Sequence, residues 1–135
     1  MESKIAAEWL QNFARTANEH DFAAHMNLIS RKVQLFGVPG FDVIGYDDWS
    51  RQCEHEFAER VLQRVAYEGL DVVTMTPLKI MFKTFERVEA NDGTVNASGV
   101  EMLIQKELDN TWRLVQERVL PEEEVEFDRN KRMPG

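Results

Sequence analysis

Cysteine is nearly absent from the sequence, since Cys53 is the only one among 135 residues. A single cysteine excludes a disulfide within the chain and is typical of proteins in a reducing compartment. Long apolar runs are also lacking, because the longest extend over only a few residues whereas a membrane-spanning helix needs about 20. The first residues show no basic segment followed by an apolar one, which is the pattern of a secretory signal. We therefore predict a cytoplasmic protein that does not enter a membrane.

Positive charge is scarce relative to negative charge. The chain has 16 Lys and Arg against 24 Asp and Glu, which gives a net charge of −8. Binding to a phosphate backbone depends on clustered Lys and Arg, so we predict no nucleic-acid partner. The three histidines have no paired spacing and the cysteine has no second cysteine beside it, so we predict no metal site. The chain lacks a glycine-rich phosphate loop and a nucleotide fingerprint, and we predict no cofactor.

Two long strands are predicted over residues 94–120, joined by the turn Asp109-Asn110. Apolar and polar residues alternate on both sides of this turn, which is the pattern of a β-hairpin. Strict alternation places Gln116 and Arg118 in the row that faces the core. The apolar members of that row are Val100, Met102, Ile104, Trp112 and Leu114.

Helices are predicted first and most strands afterwards. Apolar residues recur at three- and four-residue spacing over residues 3–18, and shorter helices are predicted over 22–30 and after Asp47. Further strands are predicted over 33–36, 41–46, 61–76 and 78–88. Segregated helices and strands indicate an α+β fold. We predict one domain over residues 1–120, in which three N-terminal helices pack on a curved, mixed, mainly antiparallel sheet of about six strands.

The last residues, 121–135, differ in composition from the rest of the chain. An acidic run is followed by a basic run, and the apolar residues among them are isolated. Such a segment buries too little apolar surface to fold alone, so we predict a charged, flexible C-terminal tail. The alternative is an arm that packs on a partner subunit through Val125 and Phe127.

Three short segments resemble a known superfamily. Residues 20–24 (HDFAA) are similar to the start of its second helix, 45–49 (GYDDW) to the glycine before its third helix, and 111–115 (TWRLV) to its last strand. The chain thus resembles the nuclear transport factor 2-like superfamily, the cystatin-like cone fold of ketosteroid isomerase and the SnoaL-like cyclases. The resemblance implies a hydrophobic pocket between helices and sheet, and dimers are common among its members.

The catalytic residues of the steroid isomerase do not transfer to this chain. Its helix-one tyrosine falls on Phe13 and its aspartate base falls on Gly37, so the resemblance disfavours steroid-isomerase chemistry. Glu86 is the only acid that alternation could place on an inward strand position, if its strand continues in register. This scarcity of inward acids favours binding over catalysis.

The candidate site consists of residues predicted to line the pocket. His25 is the candidate catalytic residue, because its ordinary pKa allows either proton state near neutrality; the alternative is a buried histidine bonded to the backbone. Arg118 would need Glu101, Glu86 or an anionic ligand if it points inward; the alternative is a rim position with surface acids. The full predicted lining is Phe13, His25, Tyr46, Trp49, Phe82, Met102, Trp112 and Arg118, although aromatic residues at such positions often only fill a core.

Three functions remain open from the sequence. The first is binding of a small, largely apolar, possibly anionic molecule in the cone pocket. The second is an enzyme of the SnoaL, dehydratase or isomerase type, and the third is a dimeric scaffold whose pocket is vestigial. A homodimer is predicted because a contiguous apolar patch on a sheet usually marks an interface. The patch predicted for the outer sheet face is Met81, Phe85, Leu103, Val115 and Val119.

Overall fold

The computed structural model describes residues 3–132, and the side chains of residues 3–130. Three helices and a five-stranded sheet form an α+β domain, and a fourth helix follows the sheet. The strand order is β1-β5-β4-β3-β2, with β1 parallel to β5 and the other pairs antiparallel. The elements are α1 (Lys4–Asn18), α2 (Phe22–Met26), β1 (Ile29–Phe36), α3 (Tyr46–Ala58), β2 (Leu62–Met75), β3 (Lys79–Ala90), β4 (Val95–Lys106), β5 (Trp112–Val119) and α4 (Glu122–Arg132).

Helix α1 packs on the inner, concave face of the sheet because its apolar residues form one stripe. The Ser3 side chain caps the helix by accepting a hydrogen bond from the Ala6 amide at 3.1 Å. Trp9 and Phe13 from the stripe join Phe82 and Met102 from the strands in the main core. The prediction of an α+β fold with three N-terminal helices on a curved sheet is therefore confirmed. Within residues 3–132 no helix is long and apolar enough to cross a membrane.

The sheet has five strands instead of about six, because residues 41–46 do not form a strand. This segment meets β1 at one bridge, where Leu35 and Ile44 exchange two backbone hydrogen bonds of 2.9 and 3.0 Å. Gly37 and Gly40 both have a positive φ, which turns the chain away from a regular ladder. Helix α2 is also shorter than predicted, and β1 begins at Ile29 because this residue is buried under the helices.

A β-bulge in β5 changes which side chains face the core. Leu103 pairs with Gln116 and Ile104 pairs with Leu114, so Val115 is an extra residue on β5. Beyond the bulge the alternation is shifted by one position. The prediction that strict alternation continues to the end of β5 is therefore wrong.

The shift reverses the direction of the last side chains of β5. Glu117 pairs with the fully buried Met102 and faces the core, and Val119 pairs with the buried Val100. Arg118 therefore faces the outer side of the sheet. The predictions of an inward Arg118 and an outward Val119 are both wrong for this reason.

Residues 122–132, predicted as a flexible tail, form helix α4 on the outer face of the sheet. Val125 packs over Gly99 so closely that a Cβ on this glycine would lie 2.8 Å from Val125 Cγ2. Arg118 binds Glu124 at 2.8 Å, and Lys83 binds Asp128 at 2.9 Å. The packing of Val125 and these ion pairs hold α4 on the sheet. The composition of the segment did not predict these contacts. Residues 133–135 of the predicted tail lie outside the described residues.

Candidate functional site

His25, the predicted catalytic residue, is a neutral member of the core. It is 5% exposed, and its ring stacks on Phe13 with 4.4 Å between centroids. Burial lowers its pKa to about 4, while a backbone hydrogen bond at Phe13 opposes the shift. His25 is therefore uncharged near neutral pH, where a general base with so low a pKa is weak.

The hydrogen bonds of Thr16 fix the tautomer of His25. The Thr16 hydroxyl oxygen lies 3.0 and 3.1 Å from the carbonyl oxygens of Asn12 and Phe13, and 2.8 Å from His25 Nδ1. A hydroxyl has one proton to donate, and the two carbonyls can only accept. His25 Nδ1 therefore carries the proton and donates to Thr16, which leaves Nε2 as the acceptor.

Three of the predicted lining residues, Phe13, Phe82 and Met102, belong to the packed core. Phe13 stacks on Trp9 at 4.7 Å, and Phe82 meets Trp9 edge to face at 6.3 Å. Phe82 and Met102 have no exposed surface. These residues form the solid part of the core, and they bound the inner face of the sheet beside the buried polar groups.

The predicted lining residues Tyr46, Trp49 and Trp112 are half-buried at the margin of this core. The guanidinium carbon of Arg31 lies 4.8 Å from the Tyr46 ring centroid, on the outside of the molecule. The Trp112 carbonyl accepts a hydrogen bond from Trp9 Nε1 at 3.1 Å. Cys53 is buried, which raises the pKa of its thiol to about 12 and leaves it unreactive near neutrality.

Arg118 is bound by two carboxylates on the outer face. It donates to both oxygens of Glu101 at 3.2 and 3.3 Å, and to both oxygens of Glu124 at 2.8 and 3.0 Å. The sequence-based alternative that Arg118 pairs with surface acids, with Glu101 among them, describes this geometry. The expectation of an anionic ligand rested on an inward Arg118, and that cation is not in the cone.

The polar groups that face the cone include Tyr67, Glu86 and Glu117. The Tyr67 hydroxyl donates to Glu86 Oε2 at 2.9 Å. Glu117 is 6% exposed, and among residues 3–132 no hydrogen bond or ion pair reaches its carboxyl group. Alternation along β3 indicated Glu86, but Glu117 was missed because of the bulge. Tyr67 was missed because nothing in the sequence marks the inward side of β2.

The three groups have different proton affinities. Burial raises the pKa of Glu117 well above its ordinary value, and the negative charge of Glu86 raises it further. Burial also raises the pKa of Glu86, but the hydrogen bond from Tyr67 opposes that shift. Burial raises the pKa of Tyr67 as well, followed in effect by the charges of the two glutamates. The arrangement therefore favours Glu86 as the carboxylate, with Glu117 as a neutral acid and Tyr67 as a neutral donor.

The Glu117 carboxyl group is not fully enclosed by the described residues. Among the described residues no fully enclosed side-chain nitrogen or oxygen lacks a hydrogen-bond partner. Glu117 has no such partner, so its carboxyl oxygens are in contact with accessible space. A cleft of about 260 Å³ between α1 and β2 is lined by Tyr67, but not by Glu86 or Glu117. Its lining is Ala7, Leu10, Gln11, Ala14, Tyr67, Gly69 and Leu70.

A larger cleft of about 490 Å³ lies on the opposite side of the sheet, between β3, β4 and α4. Phe85, Gly99 and Val125 line it, and these residues belong to the packing of α4. Its polar groups include Glu122 and Arg129, which are exposed. A third cleft, of about 470 Å³, is lined by both Tyr67 and Glu86, which makes it the better candidate for chemistry. In the part of the chain that is described, no three His, Cys, Asp or Glu residues converge as metal ligands do.

Comparisons with known proteins show the fold. No protein-family model and no curated protein sequence matches the chain. A protein from Cytophaga hutchinsonii described as nuclear transport factor 2-like superposes with a TM-score of 0.71 at 7% identity, covering 88% of this chain and 98% of that chain. The chain has the nuclear transport factor 2-like fold.

Other solved structures with the nuclear transport factor 2-like fold differ in what they are named for. A protein from Catenulispora acidiphila in complex with S-DNPA has a TM-score of 0.65 and 18% identity, covering 84% of this chain and 90% of that chain. A protein from Novosphingobium aromaticivorans, provisionally named a scytalone dehydratase, has a TM-score of 0.66 and 7% identity, covering 84% and 79%. At these identities the likeness shows the fold alone, so function must be argued from the site.

Proposed function

We propose that the protein binds a small, largely apolar organic molecule in the cone and holds its polar group at Tyr67, Glu86 and Glu117. The observation that carries this proposal is the buried Glu117 carboxyl without a hydrogen-bond partner in the described chain. A buried carboxyl group that no neighbouring residue satisfies is uncommon and calls for an explanation, such as a ligand or solvent molecule that reaches it. The Catenulispora structure with S-DNPA bound supports the proposal by analogy.

The surroundings of the cluster define the class of ligand. Apolar and aromatic side chains surround the polar groups, which suits a ligand with a large apolar surface. The charge at the cluster is negative or zero, because Glu86 and Glu117 are its ionisable acids and His25 is neutral. An anionic ligand would be repelled, so we expect neutral molecules to bind better than carboxylates.

A second function follows from the unequal glutamates. Pairs of acids whose environments separate their pKa values act as a general acid and a general base. On a small ketone, the neutral Glu117 would donate a hydrogen bond to the carbonyl oxygen and Glu86 would remove a proton from the adjacent carbon. The product is the enolate, whose oxygen accepts the hydrogen bond from Glu117, together with a protonated Glu86; return of the proton from Glu86 to carbon completes a cycle. We therefore extend the proposal to proton transfer at carbon.

One probe, 2-tetralone, tests binding and proton transfer together. We expect it to shift amide NMR signals of β2, β3 and β5, and to exchange its α-hydrogens for deuterium about 10²-fold faster with protein than without it. Glu86→Gln should retain binding and lose the exchange. The matched control Glu123→Gln removes the same charge from an exposed position on α4 and should behave as wild type.

The two outcomes separate the two functions. Absence of signal shifts at millimolar probe would overturn the binding proposal. Binding with equal exchange rates in wild type and Glu86→Gln would retain binding and reject proton transfer by this pair.

The predicted homodimer also stays a proposal, on a smaller surface than the sequence suggested. Helix α4 covers Phe85, whose ring lies 5.2 Å from the guanidinium carbon of Arg129. Val119 faces the core. The outer strip that remains is centred on the neighbouring Met81 and Leu103, which are half-buried. We propose that a second copy of the chain packs on this strip.

Sedimentation of Leu103→Glu tests the dimer. A charge at this position would have to be desolvated in the interface, which costs several kcal/mol, so we expect the variant to sediment as a monomer where wild type is a dimer. Glu123→Gln serves as the control for a remote charge change. A Leu103→Glu variant that remains dimeric, or a monomeric wild type, would reject this interface.

A further inference from the structure

The buried carboxyl pair lacks a cation. The charged group that acts on Glu117 is Glu86, and no cation contributes to the proton affinity of either glutamate. The cations adjacent in sequence, Arg87 and Arg118, face the opposite side of the sheet and bind carboxylates there. The cone therefore holds one carboxylate and one neutral carboxyl group, and no cation acts on either of them.

The other ionisable groups that face the pair cannot supply positive charge. Tyr67 on β2 and Cys53 on α3 are acids that stay neutral near pH 7 because burial raises the pKa of each. His25 on α2 is neutral because burial lowers its pKa. Helix α1 contributes Trp9 and Phe13, which are uncharged aromatic residues. The walls are thus aromatic and neutral, and the two carboxyl groups are the polar end.

We propose that the ligand of this site carries a cationic ammonium group, which is bound by Glu86 and Glu117 next to the aromatic side chains. The inference rests on the proposed small-molecule site and names the charge of its ligand. Opposite charges a few ångströms apart attract more strongly inside a protein than in water, and aromatic faces add a cation–π contribution. The 6% exposed Glu117, with no hydrogen bond from residues 3–132, is the acceptor that such a group requires.

An ammonium group would take the place of a proton. Before a ligand binds, Glu117 keeps its proton, because burial and the negative charge of Glu86 both raise its pKa. When an ammonium ion enters, Glu117 ionises and its proton leaves to the solvent. The complex then contains two carboxylates and one ammonium, and one proton is released for each ligand bound. Linkage requires that affinity rise with pH across the range in which Glu117 keeps its proton.

Three ligands on one carbon skeleton distinguish the charges: 2-aminotetralin as cation, 2-tetralol as neutral, and tetralin-2-carboxylate as anion. Isothermal titration near pH 8, in buffers of low and high ionisation enthalpy, gives the affinity and the number of protons released. We expect the cation to bind about tenfold or more tightly than the alcohol, with about one proton released. The carboxylate should bind more weakly than the alcohol, and the preference for the cation should shrink near pH 5.

The variants Glu117→Gln and Glu123→Gln complete the test. Glu117→Gln should reduce the preference for the amine over the alcohol by about fivefold or more and abolish proton release, while the alcohol still binds. Glu123→Gln removes an equal charge from the exposed side of α4 and should leave the preference unchanged.

Each remaining outcome contradicts a specific statement. If the alcohol binds as tightly as the amine, or if the preference persists in Glu117→Gln, the cationic ligand is rejected and the small-molecule site stands. If none of the three ligands nor 2-tetralone binds, the site itself is rejected. If the carboxylate binds best, the charge assignment of the cone is wrong.

Discussion

Replacing Glu117 with glutamine should raise the free energy of unfolding near pH 8 by about 1 kcal/mol or more, because each unit by which folding raises the pKa of Glu117 costs about 1.4 kcal/mol. The carboxyl is 6% exposed, and burial raises its pKa in the folded chain. Between its unfolded and folded pKa values the unfolded chain has lost the proton and the folded chain has kept it. Stability due to Glu117 is therefore lost as the pH rises, and glutamine avoids that loss.

Urea unfolding of wild type and Glu117→Gln at several pH values measures this effect. Below about pH 4.3, the ordinary pKa of glutamate, both folded and unfolded wild type carry the proton, so the two proteins should become equal in stability. His25 acts in the opposite direction: its folded pKa of about 4 makes the chain less stable as the pH falls below 6.5. Both proteins share that loss, so it cancels in the difference. A gain independent of pH, or a loss near pH 8, would contradict the buried acid.

Replacing Phe82 with alanine should cost about 3–5 kcal/mol of stability, because the ring has no exposed surface and its removal leaves a cavity. The matched control is Phe127→Ala on α4, where the same side chain is 66% exposed and the expected change is within about 0.5 kcal/mol. Thermal or urea unfolding of both variants gives the comparison. A cost below about 1 kcal/mol for Phe82→Ala would mean that Phe82 borders an open pocket and is not core.

The parts of the fold that sequence predicted correctly are those in which one physical pattern dominates. Helix α1 has a capping serine and a regular apolar stripe, and β4 alternates without interruption from Val100 to Ile104. The third helix follows Gly45 as the resemblance implied. In each of these elements the spacing of the apolar residues matches the face that is buried, so the local sequence is sufficient to predict the element.

The candidate site was only partly predictable because its key residue depends on a bulge. Nothing in the local sequence of β5 shows that Val115 has no partner across the ladder, because that depends on which residues of β4 are opposite. Alternation therefore assigned Glu117 and Arg118 to the wrong faces. On β3, where pairing with β4 is regular, alternation assigned Glu86 correctly.

Helix α4 was missed for a different physical reason. Its sequence is too polar to predict an independent helix, since its first turn contains Glu122, Glu123 and Glu124. Helix α4 contacts Gly99 and Lys83, which are distant in sequence, and Arg118, which lies at the end of β5 before the turn into the helix. Tertiary contacts of this kind override local propensity, and a single sequence does not reveal them.

The extra residue in β5 determines the sign of charge inside the cone. Glu117 and Arg118 are adjacent and oppositely charged, and a strand sends adjacent side chains to opposite faces. If Val115 were paired across the ladder, alternation would enclose the Arg118 guanidinium and present the Glu117 carboxyl group to α4. One unpaired residue, and not the composition of the strand, therefore sets which of two oppositely charged neighbours lies in the interior.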